Sequence, residues 1–279
     1  MKAKVMVARF PYGGTEASPC VDWLMAADRL LRADRRVSAV EHWRVNDTPI
    51  TMGRNRAMRV ARALDADILV MVDSDMAPDL YLGQDPNARP FLAVALDFLL
   101  GHAGPAVIAA PYLGPPPHEN VYVFRWRNKQ SDHPHADAEL SQYTREEAAA
   151  MGGVHEAAAL PTGLIAIDMR CHDLVRDAKL AAAKADPRVR PTPFFYYEWA
   201  DDDAVEKSST EDVTFSRDLS LAGVPQYCAW DSWAGHIKTK VVGRPMPYTP
   251  DAVAESLRLA VVNRHPRRGE RLVDVRRKK

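Results

Sequence analysis

Asp73-Ser74-Asp75 follows directly on the apolar run ILVMV at 68–72, and these are the first residues whose types and spacing can do chemistry. Five consecutive apolar residues read as a strand buried on both faces. In an open α/β sheet, ligands bind beyond the carboxyl ends of the strands. Two carboxylates at i and i+2 there can converge on one hard cation, since Mg²⁺ and Mn²⁺ take oxygen ligands. Such an ion can bridge to a diphosphate and act as a Lewis acid on a departing phosphate oxygen. Asp and Ser are also common where strands end, so the same triplet reads as a turn. A phosphohydrolase with the first Asp as nucleophile is a further reading. It expects the motif near the N-terminus and Thr or Val two residues after the second Asp, whereas here Met76-Ala77 follows that Asp and the motif sits in the third or fourth strand.

Glu211-Asp212 is a second carboxylate pair. Ser209-x-x-Asp212 fits a capping box, and acids in a helix's first turn suit its dipole. His133-Pro134-His135 with Asp132 and Asp137 has zinc-ligand types, but in a polar stretch, and Asn46-Asp47-Thr48 matches a glycosylation acceptor. The sequence has no Walker A motif and no GxGxxG, and Gly13-Gly14 alone does not cradle a phosphate specifically.

The elements that must position these residues alternate in the first half. Strands are expected over 4–8, 37–43, 68–72 and 106–110, and helices over 21–33, 53–64 and 90–100. That is the pattern of βαβ units and a mostly parallel sheet. In the second half, 114–117 (GPPP) is a stiff connector and 121–126 a strand. The stretch 128–155 is a polar insertion with a helical patch near 146–151. A strand at 164–168, a helix at 171–184 and an aromatic, β-prone segment at 194–199 follow. A helix at 211–222 closes at Gly223, and a strand at 226–230 leads to His236. The expected organisation is one α/β fold in two abutting halves, 1–113 and 114–245, with a C-terminal helix and basic tail at 246–279. No internal repeat is present.

In order along the chain stand Arg54-Asn55 opening a helix, the Asp73-Ser74-Asp75 triplet, Thr162-Gly163 ahead of an apolar strand, Glu211-Asp212 and the late His236. This ordered set resembles the nucleotide-sugar-dependent glycosyltransferases of the GT-A fold, in particular the large inverting bacterial and phage group. The resemblance covers roughly residues 3–240, and it rests on order and spacing rather than on any one motif. It implies a Rossmann-type, mostly parallel sheet flanked by helices, a nucleotide-diphosphate-sugar donor (UDP by default) and Mn²⁺ or Mg²⁺. Carried over, it makes Asp75 the main metal ligand, completed by His236, with Asp73 towards the ribose or the metal. Arg54 and Asn55 would contact the nucleotide or its diphosphate. The alternative for Arg54 is a pairing with Asp65 or Asp67, and for His236 a structural role. The first-strand loop, with Pro11 and Tyr12, would border the base, and Ser74 and Gly163 would lie at the donor, Gly163 letting the backbone pass close to the sugar. Asp212 would be the base that deprotonates the acceptor hydroxyl, with Glu211 assisting acceptor binding. Trp199 and Asp201, Asp202 and Asp203 fall where the group shapes its acceptor or sugar pocket; a solvated acidic loop is the alternative for the three Asp. A non-catalytic nucleotide-sugar-binding module is a third reading, opposed by the joint presence of Asp73, Asp75, Asp212 and His236.

The chain has 279 residues, 47% hydrophobic and 27% charged, which excludes a disordered or fibrous protein. Cys20, Cys171 and Cys228 are far apart and form no CxxC pair, so a cytoplasmic protein without a disulfide framework is expected. If phage-encoded, it would act in the host cytoplasm. No stretch approaches the ~20 apolar residues that span a bilayer, and the N-terminus reads as a first strand rather than a signal peptide. The formal net charge of zero conceals an asymmetry. Eight basic residues stand against two acidic ones in 264–279, so the tail carries +6 and the body −6. Short soluble members of the resembled group modify glycans, lipid-linked sugars or proteins, and some phage relatives act on modified DNA bases. The expected acceptor is a glycan or a hydroxymethylated DNA drawn in by the tail. The aromatic residues Tyr122, Phe124, Trp126, Phe195, Tyr196 and Tyr197 can stack a sugar or base, with core packing as their default.

Overall fold

The first half folds, in the computed structural model, as its hydrophobic spacing dictates. β1 (Ala3–Phe10), α1 (Ser18–Ala33), β2 (Val37–Arg44) and α2 (Ile50–Ala63) come first. β3 (Ile68–Asp73), β4 (Met76–Ala77), α3 (Phe91–Gly101) and β5 (Val107–Ala109) follow. The second half contributes β6 (Phe124–Trp126), β7 (Leu140–Gln142), α4 (Arg145–Ala150), β8 (Val154–Glu156) and β9 (Leu164–Asp168). It continues with α5 (Cys171–Ala185), β10 (Glu198–Trp199), β11 (Lys207–Ser209) and α6 (Glu211–Leu221). β12 (Gln226–Ala229), β13 (Gly235–Ile237) and β14 (Val241–Val242) complete it. The structure describes residues 2–11, 16–46, 48–115, 119–126, 140–185, 192–199, 207–237 and 241–242. Tyr12, the Gly13-Gly14 pair, the 132–137 histidine segment, Asp201, Asp202, Asp203 and the basic tail lie outside the described residues.

Seven strands form the central sheet in the order β2-β1-β3-β9-β5-β12-β8. β1 pairs in parallel with β2 and β3, and β5 with β12. β9 is antiparallel to both of its neighbours, so β2, β1, β3, β5 and β12 share one direction. This is a mixed, mostly parallel α/β sheet flanked by helices, the architecture anticipated from the sequence. Side chains alternating along the strands feed two cores. Met6, Ala8, Leu69, Met71 and Ile165 pack under α2, α5 and α6, while Val5, Val7, Val70, Val72 and Leu164 pack under α1 and α3. β3 is buried along 68–72, as its unbroken apolar run requires. The sheet runs across the 113/114 boundary, because β9 from the second half inserts between β3 and β5.

Three expectations are revised. Residues 121–123 make a single bridge between Val121 and Leu113, and only 124–126 form a strand. In the aromatic 194–199 segment only β10 is strand. Side chains hold the rest: Asn55 bonds both backbone groups of Phe195, and the Thr214 hydroxyl donates to the Tyr196 carbonyl. The polar insertion supplies β8, which pairs antiparallel with β12 at the sheet edge. Among the described residues no helix is long and apolar enough to cross a membrane.

Candidate active site

The shared direction of five strands brings their carboxyl ends to one edge. The Asp73 N–H, at the end of β3, donates to the Gly163 carbonyl at 2.9 Å, and the Ser74 N–H donates to the Phe10 carbonyl at 3.3 Å. These bonds set the acidic triplet beside the end of β1 and the start of β9. Asp75 leads into β4, which pairs with β13 so that Met76 faces His236 in register. The Ile237 N–H donates to the Asp75 carbonyl at 2.6 Å. Residues 160 apart in sequence are thereby fixed side by side.

Arg54 is the centre of the site. It is 2% exposed, yet it projects from α2 into a ring of carboxylates. Nη2 donates to both oxygens of Asp73 at 3.1 and 2.9 Å. Nη1 donates to Glu211 Oε1 at 2.8 Å and Asp212 Oδ1 at 3.2 Å. Burial alone would lower the guanidinium's pKa, but Asp73, Asp212 and Glu211 outweigh it and hold it above its ordinary value. Burial pushes the Asp73 carboxyl up against the lowering pull of Arg54. It pushes Glu211 up as well, and the Asp212 charge adds to that rise. The partners of Arg54 are therefore Asp73, Glu211 and Asp212, not the Asp65 or Asp67 offered as the alternative. Asn55 is likewise turned to the protein, its amide donating to the carbonyls of Thr51 and Phe195 at 2.7 Å each.

Asp212 is not a capping residue. The N-cap of α6 is Thr210, without a side-chain cap bond, so the Ser209 box is out of register. The Asp212 carboxylate instead takes hydrogen bonds on Oδ1 from Arg54 and from the Thr162 hydroxyl. Thr162 is fully buried, and sequence reasoning noted it only as part of the Thr-Gly pair. Gly163 next to it is closed off: a Cβ there would lie 2.8 Å from the Tyr112 phenol oxygen, which accepts the Gly163 N–H at 3.2 Å. Its lack of a side chain serves the seating of Tyr112.

His236 and Asp75 form the other pole. His236 Nε2 lies 3.3 Å from Asp75 Oδ2, and Nδ1 is 3.1 Å from the Leu113 carbonyl. A carbonyl accepts only, so Nδ1 donates to Leu113, and Nε2 is the nitrogen left facing Asp75, the one available to a metal. Among the described residues no three His, Cys, Asp or Glu side chains gather into an all-protein metal cage. A carboxylate and an imidazole still fit Mn²⁺ or Mg²⁺ of the kind that completes its shell with phosphate oxygens and water.

Two clefts meet at Arg54, Asp73, Asp75 and Glu211. One, about 460 Å³, has apolar walls from Phe10, Pro11, Val45, Ile50 and Tyr197, with Ser74 at its floor. The other, about 550 Å³, runs between the start of α6 (Thr210, Asp212, Val213) and a wall of Tyr112, Tyr122, Phe124 and Gln142. Tyr122 and Phe124 thus line a cleft, whereas Phe195 is core, stacked on Phe215 at 4.4 Å. Trp199 is 45% exposed on β10, with its ring 6.4 Å from that of Tyr197. A larger cavity, about 890 Å³, opens between Tyr81, Asp85, Arg89, Met151 and Trp233, and it holds none of the site residues anticipated from sequence. All three cysteines are buried and free, and burial pushes every thiol up, Cys20 to about 12, so none is a thiolate nucleophile.

No protein-family model matches the chain, and no curated protein matches it. The solved structures that align with it include the following three. A197 from STIV aligns at 16% identity and a TM-score of 0.47, covering 89% of this chain and 97% of that one. GalNAc-T7 with UDP, GalNAc and Mn²⁺ aligns at 9% identity and a TM-score of 0.42, covering 92% of this chain and 48% of that one. HddC from Yersinia pseudotuberculosis aligns at 8% identity and a TM-score of 0.29, covering 92% and 99%.

Proposed function

We propose that this protein is a metal-dependent, inverting glycosyltransferase that uses a nucleoside-diphosphate sugar, with UDP as the default nucleotide. The observation that carries the reading is Arg54, which ties Asp73 of the acidic triplet to the Glu211-Asp212 pair in one site. A cation-binding carboxylate motif and a candidate base are otherwise remote in sequence, and a single displacement needs both beside the same carbon.

The apolar cleft suits the nucleobase, with Pro11 and Tyr197 on its walls, and Asp73 beside it would meet the ribose hydroxyls. The diphosphate belongs at Asp75 and His236. Arg54 is engaged by three carboxylates, and no other Lys or Arg among the described residues lines either cleft. Among the described residues a diphosphate therefore has no protein cation to meet it there, and Asp75 and His236 would hold Mn²⁺ or Mg²⁺ in that role. When bound, such an ion supplies neutralisation of the leaving group's charge. Asp212 takes the proton of the acceptor hydroxyl while its oxygen bonds to the anomeric carbon. The bond from that carbon to the diphosphate oxygen breaks, and its electron pair leaves with the nucleoside diphosphate. Arg54 and Thr162 hold Asp212 by Oδ1, which fixes the direction of Oδ2. The phosphohydrolase reading would need Asp73 as nucleophile, but both its oxygens are bonded to Arg54.

Thermal unfolding with Mn²⁺ and a panel of UDP-, GDP- and dTDP-sugars tests the reading. Ligand at a hundredfold excess over Kd stabilises by about 2.7 kcal/mol, so one donor is expected to raise Tm by about 5 °C or more in Mn²⁺ and not in EDTA. Absence of any metal-dependent shift across the panel would sink it. A second expectation concerns Thr162. Thr162→Val keeps shape but loses a hydrogen bond to a charged group, and kcat should fall roughly tenfold or more, while Thr162→Ser stays near wild type. Equal kcat in both variants would remove Thr162 from the mechanism.

A further inference from the structure

The wall facing Asp212 has a composition of its own. Tyr122 and Phe124 sit two residues apart, both half-buried and both lining the cleft. Gln142 is the direct cross-strand partner of Phe124 on β7 and joins them. Tyr122 is held in place from below: a Cβ on Gly114 would fall 2.5 Å from its phenol oxygen, so only glycine lets the ring lie there. The Tyr112 and Tyr122 rings meet in a T-shaped pair, with centroids 5.6 Å apart. Across the cleft stand Thr210, Glu211 and Asp212.

Charge is the second observation. The described lining holds four carboxylates (Asp73, Asp75, Glu211 and Asp212) against one arginine that three of them already engage. The arginines next in sequence to the aromatic wall are also matched, Arg125 with Glu147 at 2.7 Å and Arg145 with Glu119. Proteins that take up nucleic acid neutralise its phosphates with Lys and Arg, mostly exposed and unspent. This cleft offers the reverse. One divalent cation leaves it negative, and a phosphate-bearing acceptor would meet net repulsion.

On the glycosyl-transfer reading above, we propose that the acceptor is a neutral carbohydrate. One sugar ring lies with its C–H face on Tyr122 and Phe124, and its hydroxyls donate to Gln142 and the α6 carboxylates. Aromatic faces give apolar contact area, and carboxylates accept the hydroxyl protons that a sugar has in excess. The attacking hydroxyl gives its proton to Asp212 as its oxygen takes the glycosyl group and the nucleoside diphosphate departs.

The test uses the full chain with Mn²⁺ and the donor that stabilises it, offered neutral oligosaccharides in one arm and oligonucleotides with 5-hydroxymethylated pyrimidines in the other. Transfer is expected to a neutral oligosaccharide, with an acceptor KM that changes less than about twofold between 50 and 200 mM salt. Phe124→Ala is expected to raise that KM about tenfold, and Phe124→Tyr to bring it back close to wild type. Transfer to the oligonucleotide with a steep fall in salt overturns the proposal. So does donor hydrolysis with no transfer to any neutral acceptor, or a Phe124→Ala variant with unchanged acceptor KM. A failed glycosyl-transfer reading looks different: then no donor binds or is hydrolysed in either arm.

Discussion

Asp212→Asn is expected to lower sugar transfer by roughly three orders of magnitude while leaving metal-dependent donor binding close to wild type. A positioned general base contributes about 10²–10⁴-fold, and the amide removes the basic oxygen without changing the side chain's shape. Its carbonyl oxygen can still accept from Arg54 and Thr162, as Oδ1 does now, so the fold around it should hold. Glu211→Gln is the necessary comparison. Glu211 is the more enclosed of the two, with 13% of its side chain exposed against 28% for Asp212, and its Oε1 is bonded to Arg54 at 2.8 Å. It should cost about tenfold, mainly in acceptor KM, through a lost charged hydrogen bond. Single-turnover transfer and donor thermal shift, measured on both variants, separate the roles. A Glu211→Gln variant more impaired in kcat than Asp212→Asn would exchange base and binding residue.

What could be read beforehand follows from the range over which each residue's environment is decided. The strand before the acidic triplet was legible because burial on both faces leaves an unbroken apolar run, and β9 for the same reason. The end of α6 before Gly223 was legible because helix termination is local. β8 was not, since its side chains are mostly exposed and it joins the sheet through backbone bonds to β12 that hydropathy does not register. The partners of Arg54 were missed for a related reason. Asp65 and Asp67 are its neighbours in sequence, but Asp65 ends the α2 turn with φ at +49° and Asp67 accepts the Lys4 N–H. The true partners lie 19, 157 and 158 residues away, at the end of β3 and the start of α6. Spacing along a chain carries no record of strand order. Thr162 fell under the same limit, for nothing local marks one threonine hydroxyl as the partner of an aspartate 50 residues on.

Arg54→Met should destabilise the fold by about 3–5 kcal/mol near neutral pH, because breaking a buried ion pair leaves the remaining charges uncompensated. Native proteins are stable by only about 5–15 kcal/mol in total, so the variant would approach the unfolding threshold. Three carboxylates, not one, lose their cation, and two of them, Asp73 and Glu211, are already held above their ordinary pKa by burial. For a carboxyl raised in the folded state, the contribution to stability is fully present below its unfolded pKa of about 4. It is lost as pH rises through the folded value. Removing Arg54 raises both folded values further, so the deficit against wild type should grow from pH 4 towards pH 7. Arg54→Lys keeps one charge but loses the planar fork that serves Asp73 with one nitrogen and the α6 pair with the other, and it should fall between the two. Urea unfolding of the three proteins at pH 5 and 7 reads the difference as a change in midpoint. Adding Asp212→Asn to Arg54→Met should recover part of the loss, since one stranded charge is gone. A deficit that shrinks as pH rises, or a double variant no more stable than the single one, would mean that Arg54 holds the site by packing alone.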